Sequence, residues 1–390
     1  MAVAGPLSGI VVLDLTRVLA GPYCTMILAD LGARVLKVES PGSGDDSRGY
    51  GPFVNGKSAY FMAMNRGKES IALDLKAPGD RRIFEQLLPK VDVLVENFRP
   101  GAMERLGYGW ETLCEQYPRL IYAAASGFGQ TGPYKARPAY DMVVQGMGGI
   151  MSITGQPGGP PTRVGASVGD LTAGLFTTIG ISSALHHRAE SGRGMKIDVA
   201  MLDCQVAILE NALSRYFLSG KSPAPLGARH PSIAPFAAYK TADGHIIIAC
   251  GTDALYRKFC AAIERPALVD DARFVINDKR SDNVDALTAE IESALAGHGT
   301  AHWLELLEKL GIPCGPINDI AAIANDPHIA ARNMIVGIED PEAGSLKVAG
   351  NPIKMSAFAD RKTRAAAPGI DRDRARILED FGISEAPGKP

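Results

Sequence analysis

The sequence lacks an excess of charge of either sign. Its 41 lysine and arginine residues nearly balance its 43 aspartate and glutamate residues. Proteins whose main partner is nucleic acid or an anionic membrane surface usually carry a large positive excess. The composition therefore argues against such partners, and any anionic ligand must be held by local basic groups.

Cysteine pairs and long apolar runs are also missing. The six cysteines are scattered without a C-x-x-C pair, several of them inside apolar runs, which is typical of reduced, buried thiols in a cytosolic protein. The N-terminal residues show no basic region followed by an apolar stretch, and no segment approaches about 18 consecutive apolar residues. We expect a cytoplasmic protein with no membrane segment.

The seven histidines fit no known metal site. His186 and His187 are adjacent, so they cannot face one another as ligands four residues apart on a helix do. The other five lack the spacing of a known ligand set, and Ser126, in Ser126-Gly-Phe-Gly129, fits a strand-to-loop turn better than a serine nucleophile. We therefore expect neither a bound metal nor a serine nucleophile.

One glycine motif matches a dinucleotide fingerprint by its letters alone. Residues 127–132 read G-F-G-Q-T-G and follow a strand-like run. In the fingerprint the last glycine opens a helix, whereas here Pro133 and Pro138 bracket a segment that is typical of a loop. A nicotinamide cofactor is not expected.

Short apolar runs alternate with helical patterns in the first part of the chain. Strands are predicted at residues 10–15, 34–38, 70–75, 91–95 and 120–125, and helices at 24–31, 79–88 and 109–116. This alternation favours an α/β fold with a parallel sheet flanked by helices.

The later residues predict a second, smaller domain. Two helices are expected at about 170–189 and 201–218, followed by a linker rich in glycine and proline at 220–227. Beyond it, a predicted hairpin at 236–249 precedes three helices. We predict a large α/β domain over residues 1–200, a helix and linker over 201–227, a small α+β domain over 228–328 and a C-terminal segment over 329–390.

Asp170 stands at the head of the first of these helices, in Val168-Gly-Asp-Leu171. Its position suits an ordinary helix cap. It also suits a nucleophile, because the amides and the dipole of a helix start favour an ionised carboxylate, and Gly169 permits a close approach. Position alone favours the cap and leaves both roles open.

A second polar cluster follows a predicted strand at residues 96–105, with a turn at Pro100-Gly101. In an open α/β sheet, ligands bind outside the carboxyl ends of the strands. Arg99 and Arg105 are suited to phosphate oxygens, and Phe98 offers a flat apolar surface for a purine. The alternative is a solvated turn with surface arginines.

Taken together, these segments resemble the class III CoA transferases, the formyl-CoA transferase and carnitine-CoA transferase family. The resemblance extends over essentially the whole chain and is carried by residues 12–22, 32–39, 65–74, 95–101, 127–133, 169–170, 192–194 and 311–318 and by Asp326-Pro327. It implies an enzyme with a Rossmann-like large domain built from both termini and a small domain between them. The implied chain is ring-shaped and forms an interlocked homodimer.

The same resemblance implies roles for individual residues. It makes Asp170 the catalytic residue and places CoA, as a substrate rather than a tightly bound cofactor, against Val18, Leu73, Asp74, Leu75, Lys76, Asn97, Phe98, Arg99 and Arg105. In the implied mechanism Asp170 attacks the donor thioester to give an aspartyl anhydride, and the released thiolate then forms an enzyme-bound CoA thioester. The acceptor carboxylate enters by the reverse sequence, and no ATP is required.

Two departures from the family pattern bear on the substrates. Leu19 and residues 228–235 stand where formyl-CoA transferases have a glutamine and a run of four glycines, which argues against formyl-CoA:oxalate transfer. The segments 229–236 and 240–244 instead resemble transferases that pair succinyl-CoA with dicarboxylates such as hydroxymethylglutarate, malate, citramalate or itaconate. Arg229 or His230 is our candidate for holding the remote carboxylate of the acceptor.

The α-methylacyl-CoA racemases are the main alternative on this fold. They carry Gly-His-Asp where this chain reads Ala139-Tyr-Asp141, and a phenol such as Tyr140 is a poor base near neutral pH. A formyl-CoA or carnitine type of transferase and a non-catalytic CoA-binding protein are further alternatives. We expect a CoA transferase.

Overall fold

The computed structural model describes residues 4–385, which form two compact units. The first unit contains residues 4–151, 163–221 and 327–385, and the second contains residues 152–162 and 222–326. Residues 152–162 thus lie in the second unit, although they fall within the predicted 1–200 range. The ends of the predicted ranges, residues 1–3 and 386–390, lie outside the described residues.

The strands of the described residues are short. They are β1 (Val11–Asp14), β2 (Arg34–Glu39), β3 (Phe53–Val54), β4 (Lys57–Ser58), β5 (Glu69–Ala72), β6 (Val93–Glu96), β7 (Ile121–Ser126), β8 (Lys196–Ala200), β9 (Phe236–Lys240), β10 (His245–Ala249), β11 (Cys314–Pro316), β12 (Ile335–Asp340), β13 (Gly344–Ala349) and β14 (Thr363–Arg364).

Helices connect most of these strands. They are α1 (Ala20–Asp30), α2 (Ala59–Asn65), α3 (Pro78–Leu87), α4 (Ala102–Leu106), α5 (Trp110–Gln116), α6 (Asp141–Met147), α7 (Ile150–Ile153), α8 (Val168–Ser191), α9 (Met201–Ala207), α10 (Asn211–Ser219), α11 (Asp253–Ala262), α12 (Asn277–Asp282), α13 (Val284–Leu295), α14 (Thr300–Lys309), α15 (Ile320–Ala324), α16 (Pro327–Ala331) and α17 (Arg374–Asp380).

A six-stranded parallel sheet organises the first unit, in the order β5-β2-β1-β6-β7-β8. Val12 of β1 lies beside Val35 of β2 on one side and Val93 of β6 on the other. Counted along the chain, the strands of this sheet follow the doubly wound order 3-2-1-4-5-6, in which the order reverses between β1 and β6. The predicted α/β class with a parallel sheet is confirmed.

Apolar side chains explain why this sheet is buried on both faces. One face packs on a cluster that includes Phe84, Leu87 and Ile377, and the other on a cluster that includes Leu28 and Ile181. Helix α8 is apolar and long enough to cross a membrane by length and composition, and it packs against α1 and β7. Core helices have the same properties, so this helix alone does not indicate a membrane protein.

The predicted helix over residues 201–218 is wrong as a single element. The structure breaks it into α9 and α10 at Glu210, whose φ of 53° is incompatible with a continuous right-handed helix. Alternating apolar residues run through the break, so periodicity alone did not reveal it.

The second unit has its own core. Its antiparallel sheet has the order β11-β10-β9, and β9 and β10 form the hairpin that the sequence predicts. Helices α11, α13 and α14 cover this sheet through buried residues such as Phe259, Ile291 and Leu307.

Candidate active site

A cavity of about 470 Å³ lies at the carboxyl ends of β1, β2, β5 and β6. This is the point where the strand order reverses, which is where open α/β sheets bind ligands. The cavity is lined by Leu15, Thr16, Arg17, Lys37, Val38, Glu39, Ser40, Pro41, Gly44, Asp45, Leu73, Asp74, Leu75, Lys76, Phe98 and Leu106. We call it the first cavity.

The first cavity gathers five of the nine residues predicted to contact CoA. These are Leu73, Asp74, Leu75, Lys76 and Phe98. The guanidinium of Arg17, which the prediction did not include, lies 5.6 Å from the centre of the Phe98 ring. Within the described residues, the first cavity therefore combines an aromatic face with basic side chains.

A second cavity of about 170 Å³ shares Phe98 with the first. Its lining includes Asn97, Phe98, Arg99, Pro100, Ser126, Gly127, Phe128, Lys135, Arg137, Pro138, Ala139 and Tyr140. Its three cationic side chains suit an anionic ligand. Neither cavity is lined by Val18 or Arg105.

The sequence reasoning missed Lys135 and Arg137. They lie in the proline-bracketed loop that follows the glycine motif of residues 127–132. The structure folds this loop back over the end of β7, where Arg137 stacks on Tyr134 at 4.0 Å and lines the second cavity together with Ser126. The two basic side chains of the loop were the sequence signal that could have indicated an anion-binding role.

Asp170 lies in the first turn of α8, and the N-cap of that helix is Ser167. The cap alternative for Asp170 is therefore wrong. The role of a cap falls to Asp141 of α6, whose Oδ1 accepts a 2.8 Å hydrogen bond from the Gly169 N–H. Gln145 holds Asp141 in turn by donating from Nε2 to its Oδ2 at 2.8 Å.

Gly169 is required by this contact between α6 and α8. A Cβ atom at this position would lie 2.7 Å from a Val144 methyl carbon and 3.0 Å from the Asp141 carboxylate. Any larger residue would push the start of α8 away from Asp141. The glycine next to Asp170 therefore serves helix packing.

The environment of Asp170 opposes its ionisation. Burial, followed by the negative charge of Asp141, raises the pKa of Asp170 to about 7. The sequence predicted the opposite direction, because it counted the helix start as a stabilising positive end. In the structure the Gly169 amide is taken by Asp141, and a second carboxylate stands beside Asp170.

Tyr60 of α2 faces the same group of carboxylates. Burial raises the pKa of Tyr60 to about 12, and the charges of Asp170 and Asp45 act in the same direction. The Tyr60 ring packs edge-on against Tyr50, with 6.0 Å between ring centres. Tyr60 is a neighbour of the candidate nucleophile that the sequence did not indicate.

The three predicted substrate residues lie in different units. Tyr140 precedes α6 in the first unit, is 76% exposed and lines the second cavity. Arg229 and His230 lie in the second unit. There the Nδ1 atom of His230 accepts a hydrogen bond from the Ser232 N–H, and its ring stacks on Phe236.

Comparisons with known proteins cover almost the whole chain. The family model for CoA-transferase family III matches residues 7–374. An acetyl-CoA:oxalate CoA-transferase of Acetobacter aceti is 50% identical, over 98% of this chain and 97% of its own. A succinyl-CoA:mesaconate CoA-transferase of Haloarcula hispanica is 41% identical, over 97% of each chain.

A solved structure agrees with these matches. The crystal structure of a CAIB/BAIF family protein from Brucella suis has a TM-score of 0.84 and 40% identity to this chain, covering 97% of this chain and 99% of the other. The resemblance found in the sequence is confirmed, and the chain belongs to CoA-transferase family III.

Proposed function

We propose that this protein transfers CoA from succinyl-CoA to a dicarboxylic acid, with Asp170 as the nucleophile. One observation carries the assignment of Asp170. The carboxyl group of Asp170, in the first turn of α8, has no hydrogen-bond partner among the described residues. Burial and the charge of Asp141 raise its pKa to about 7. A carboxylate that is poorly stabilised by its surroundings is a better nucleophile.

Each step of the proposed reaction exchanges one acyl bond for another. A carboxylate oxygen of Asp170 attacks the thioester carbonyl, the C–S bond breaks, and CoA leaves as the thiolate. The thiolate then attacks the aspartyl carbonyl of the anhydride and expels the donor acid as a carboxylate. The acceptor carboxylate reverses both steps and leaves as the new thioester, with amides near the start of α8 as proposed oxyanion donors.

The two cavities fit an elongated CoA ligand. In this proposal the first cavity holds the nucleotide, with Phe98 against the purine and Lys76 near the phosphates. The second cavity holds further phosphate oxygens through Arg99, Lys135 and Arg137. Phe98 lines both cavities, so one ligand can span them.

The acceptor is proposed to be a dicarboxylate because the two named relatives share that feature. Oxalate and mesaconate are both dicarboxylic acids, although the donors differ between acetyl-CoA and succinyl-CoA. Arg229 or His230 remains our candidate for the second carboxylate. Acetyl-CoA:oxalate transfer is the second candidate function, since that relative is 50% identical to this chain.

Self-association is part of the proposal. Apolar side chains are exposed on α8 at Leu175, Phe176 and Ile179, and on α10 at Phe217 and Leu218. Exposed apolar surface of this kind is typical of an interface. We propose that a second copy covers it in the interlocked homodimer of ring-shaped chains that the resemblance implies.

A panel of free acids tests the substrate assignment. Succinyl-CoA and acetyl-CoA are each offered with oxalate, mesaconate, glutarate, hydroxymethylglutarate and carnitine, and every new thioester is identified by mass. We expect transfer to four- to six-carbon dicarboxylates from succinyl-CoA. Preference for oxalate with acetyl-CoA selects the second candidate, and preference for carnitine contradicts a dicarboxylate acceptor.

A trapping experiment tests the nucleophile. Hydroxylamine added during turnover should modify Asp170, as read by peptide mass mapping. Asp203 is the matched control, because it also lies in the first turn of a helix of the first unit but is exposed. An active enzyme that is never modified at Asp170 would contradict the covalent route.

A further inference from the structure

Val18 has an unusual backbone conformation at the edge of the first cavity. Its φ is +68°, in the left-handed region. This region is unfavourable for a β-branched residue, and such a conformation persists only where the surroundings impose it. The adjacent residues Thr16 and Arg17 line the first cavity, and Leu19 precedes α1. We call residues 16–19 the β1–α1 loop.

Asn97 holds this loop through its main chain. The Asn97 Oδ1 accepts a hydrogen bond from the Arg17 N–H at 2.8 Å, and the Asn97 Nδ2 donates to the Arg17 carbonyl oxygen at 2.8 Å. Both polar atoms of the side chain are therefore engaged. Because the two bonds hold the N–H and the carbonyl oxygen of the same residue, they fix the orientation of the main chain at Arg17.

A buried ion pair holds the other side of the loop. Asp45 accepts a hydrogen bond from the Val18 N–H at 3.1 Å, and its second oxygen lies 2.8 Å from the Lys37 ammonium. Lys37 also donates to the carbonyl oxygen of Thr16 at 2.8 Å. Side chains from three separate segments thus bind consecutive main-chain groups around Val18.

The loop connects the first cavity to the helix of Asp170. It leads into α1, whose first turn lies so close to α8 that a Cβ atom on Gly174 would be 2.8 Å from the Ala20 carbonyl oxygen. A shift of the loop would therefore disturb both the cavity wall and the packing beside α8.

We propose that Asn97, which lines the second cavity, is also a positioning residue that acts through the main chain of Arg17 to keep Val18 left-handed. This inference rests on the proposed role of the first cavity as the acyl-CoA site. It adds support of the wall of the first cavity to the CoA contact that the resemblance implies for Asn97.

The test asks whether Asn97 becomes dispensable for binding succinyl-CoA once the backbone strain at Val18 is relieved. Asn97→Ala should raise the KM for succinyl-CoA about tenfold while kcat changes by less than about threefold, since a misplaced wall weakens binding more than chemistry. Val18→Gly removes the steric reason for the support, because glycine adopts positive φ readily. The double variant should return KM to within about threefold of the Val18→Gly single variant.

Glu210→Gly is the matched control. Glu210 also has a positive φ, of 53°, but it lies between α9 and α10 and lines neither cavity. Combined with Asn97→Ala, it should leave KM raised. Thermal unfolding of every variant checks folding, and Asn97→Asp, which keeps the acceptor for the Arg17 N–H, replaces Asn97→Ala if the latter does not fold.

The outcomes separate this inference from the proposed function. If the wild-type protein transfers CoA and Val18→Gly fails to lower the raised KM, Asn97 contacts the ligand and the positioning role is overturned. An unchanged KM in Asn97→Ala overturns it as well. If the wild-type protein neither binds CoA nor transfers it, the proposed function itself fails.

Discussion

Asp45, which holds the β1–α1 loop, and Asp170, at the start of α8, belong to the same unit, but their carboxyl groups have opposite environments. Burial acts to raise the pKa of Asp45, but Lys37 and Ser47 outweigh it and hold the pKa at about 2. Asp170 has Asp141 as its charged neighbour instead, and its pKa is raised to about 7. The charge of Asp45 is compensated by Lys37, whereas the candidate nucleophile has no positive partner among the described residues.

Replacing Asp170 is expected to have the largest effect on activity. Asp170→Asn should reduce CoA transfer more than about a thousandfold, because an amide cannot form the anhydride. The same variant should unfold at a higher temperature than the wild type at pH 8, since an unfavourable charge is removed. Transfer assays and thermal unfolding measure the two effects. A variant with much of its activity left would place the nucleophile elsewhere.

Breaking the ion pair between Asp45 and Lys37 should mainly affect the stability of the fold. Asp45→Asn removes the ion-pair partner of buried Lys37, and we expect the free energy of unfolding to fall by about 3–5 kcal/mol in urea titrations. The control is Asp46→Asn, which breaks the exposed pair with Arg17 at 3.2 Å and should cost less than about 1 kcal/mol. Equal effects of the two variants would show that the buried pair contributes no more to stability than the exposed one.

The pH dependence of the two carboxyl groups should be opposite in sign. The folded pKa of Asp45, about 2, lies below its ordinary 3.8, so its contribution to stability is present above about pH 4 and is lost as the pH falls towards 2. The folded pKa of Asp170, about 7, lies above 3.8, so stability falls as the pH rises from about 4 to 7. Urea titrations across this pH range measure both.

Activity should follow the ionisation of Asp170. The value of kcat/KM for succinyl-CoA should rise with pH and level off above about 7, since the carboxylate is the attacking form. Asp141→Asn removes the neighbouring charge and should move the midpoint of this rise to lower pH. A profile that is flat between about pH 5 and 8 would show that Asp170 is already ionised there.

Local sequence patterns were sufficient for the large elements and for the family. The apolar runs at residues 10–15 and 120–125 became β1 and β7 with boundaries shifted by one residue, because strands buried on both faces need continuous apolar residues. The break at Glu210 could not be predicted, because the left-handed conformation of a single residue does not change the spacing of the apolar residues around it. The ion pair between Lys37 and Asp45 also left no local pattern.

The order of residues is enough to place Asp170 at the start of an apolar helix, within a chain-long series of family motifs. Tertiary structure alone decided its ionisation, because Asp141, 29 positions earlier, reaches the start of α8 and takes the amide of Gly169. It likewise decided how Asn97 is used, since its partner Arg17 lies on a neighbouring strand end, 80 residues away. The charges and hydrogen bonds around a residue depend on which segments come into contact in the folded chain. The order of residues along the sequence does not specify those contacts.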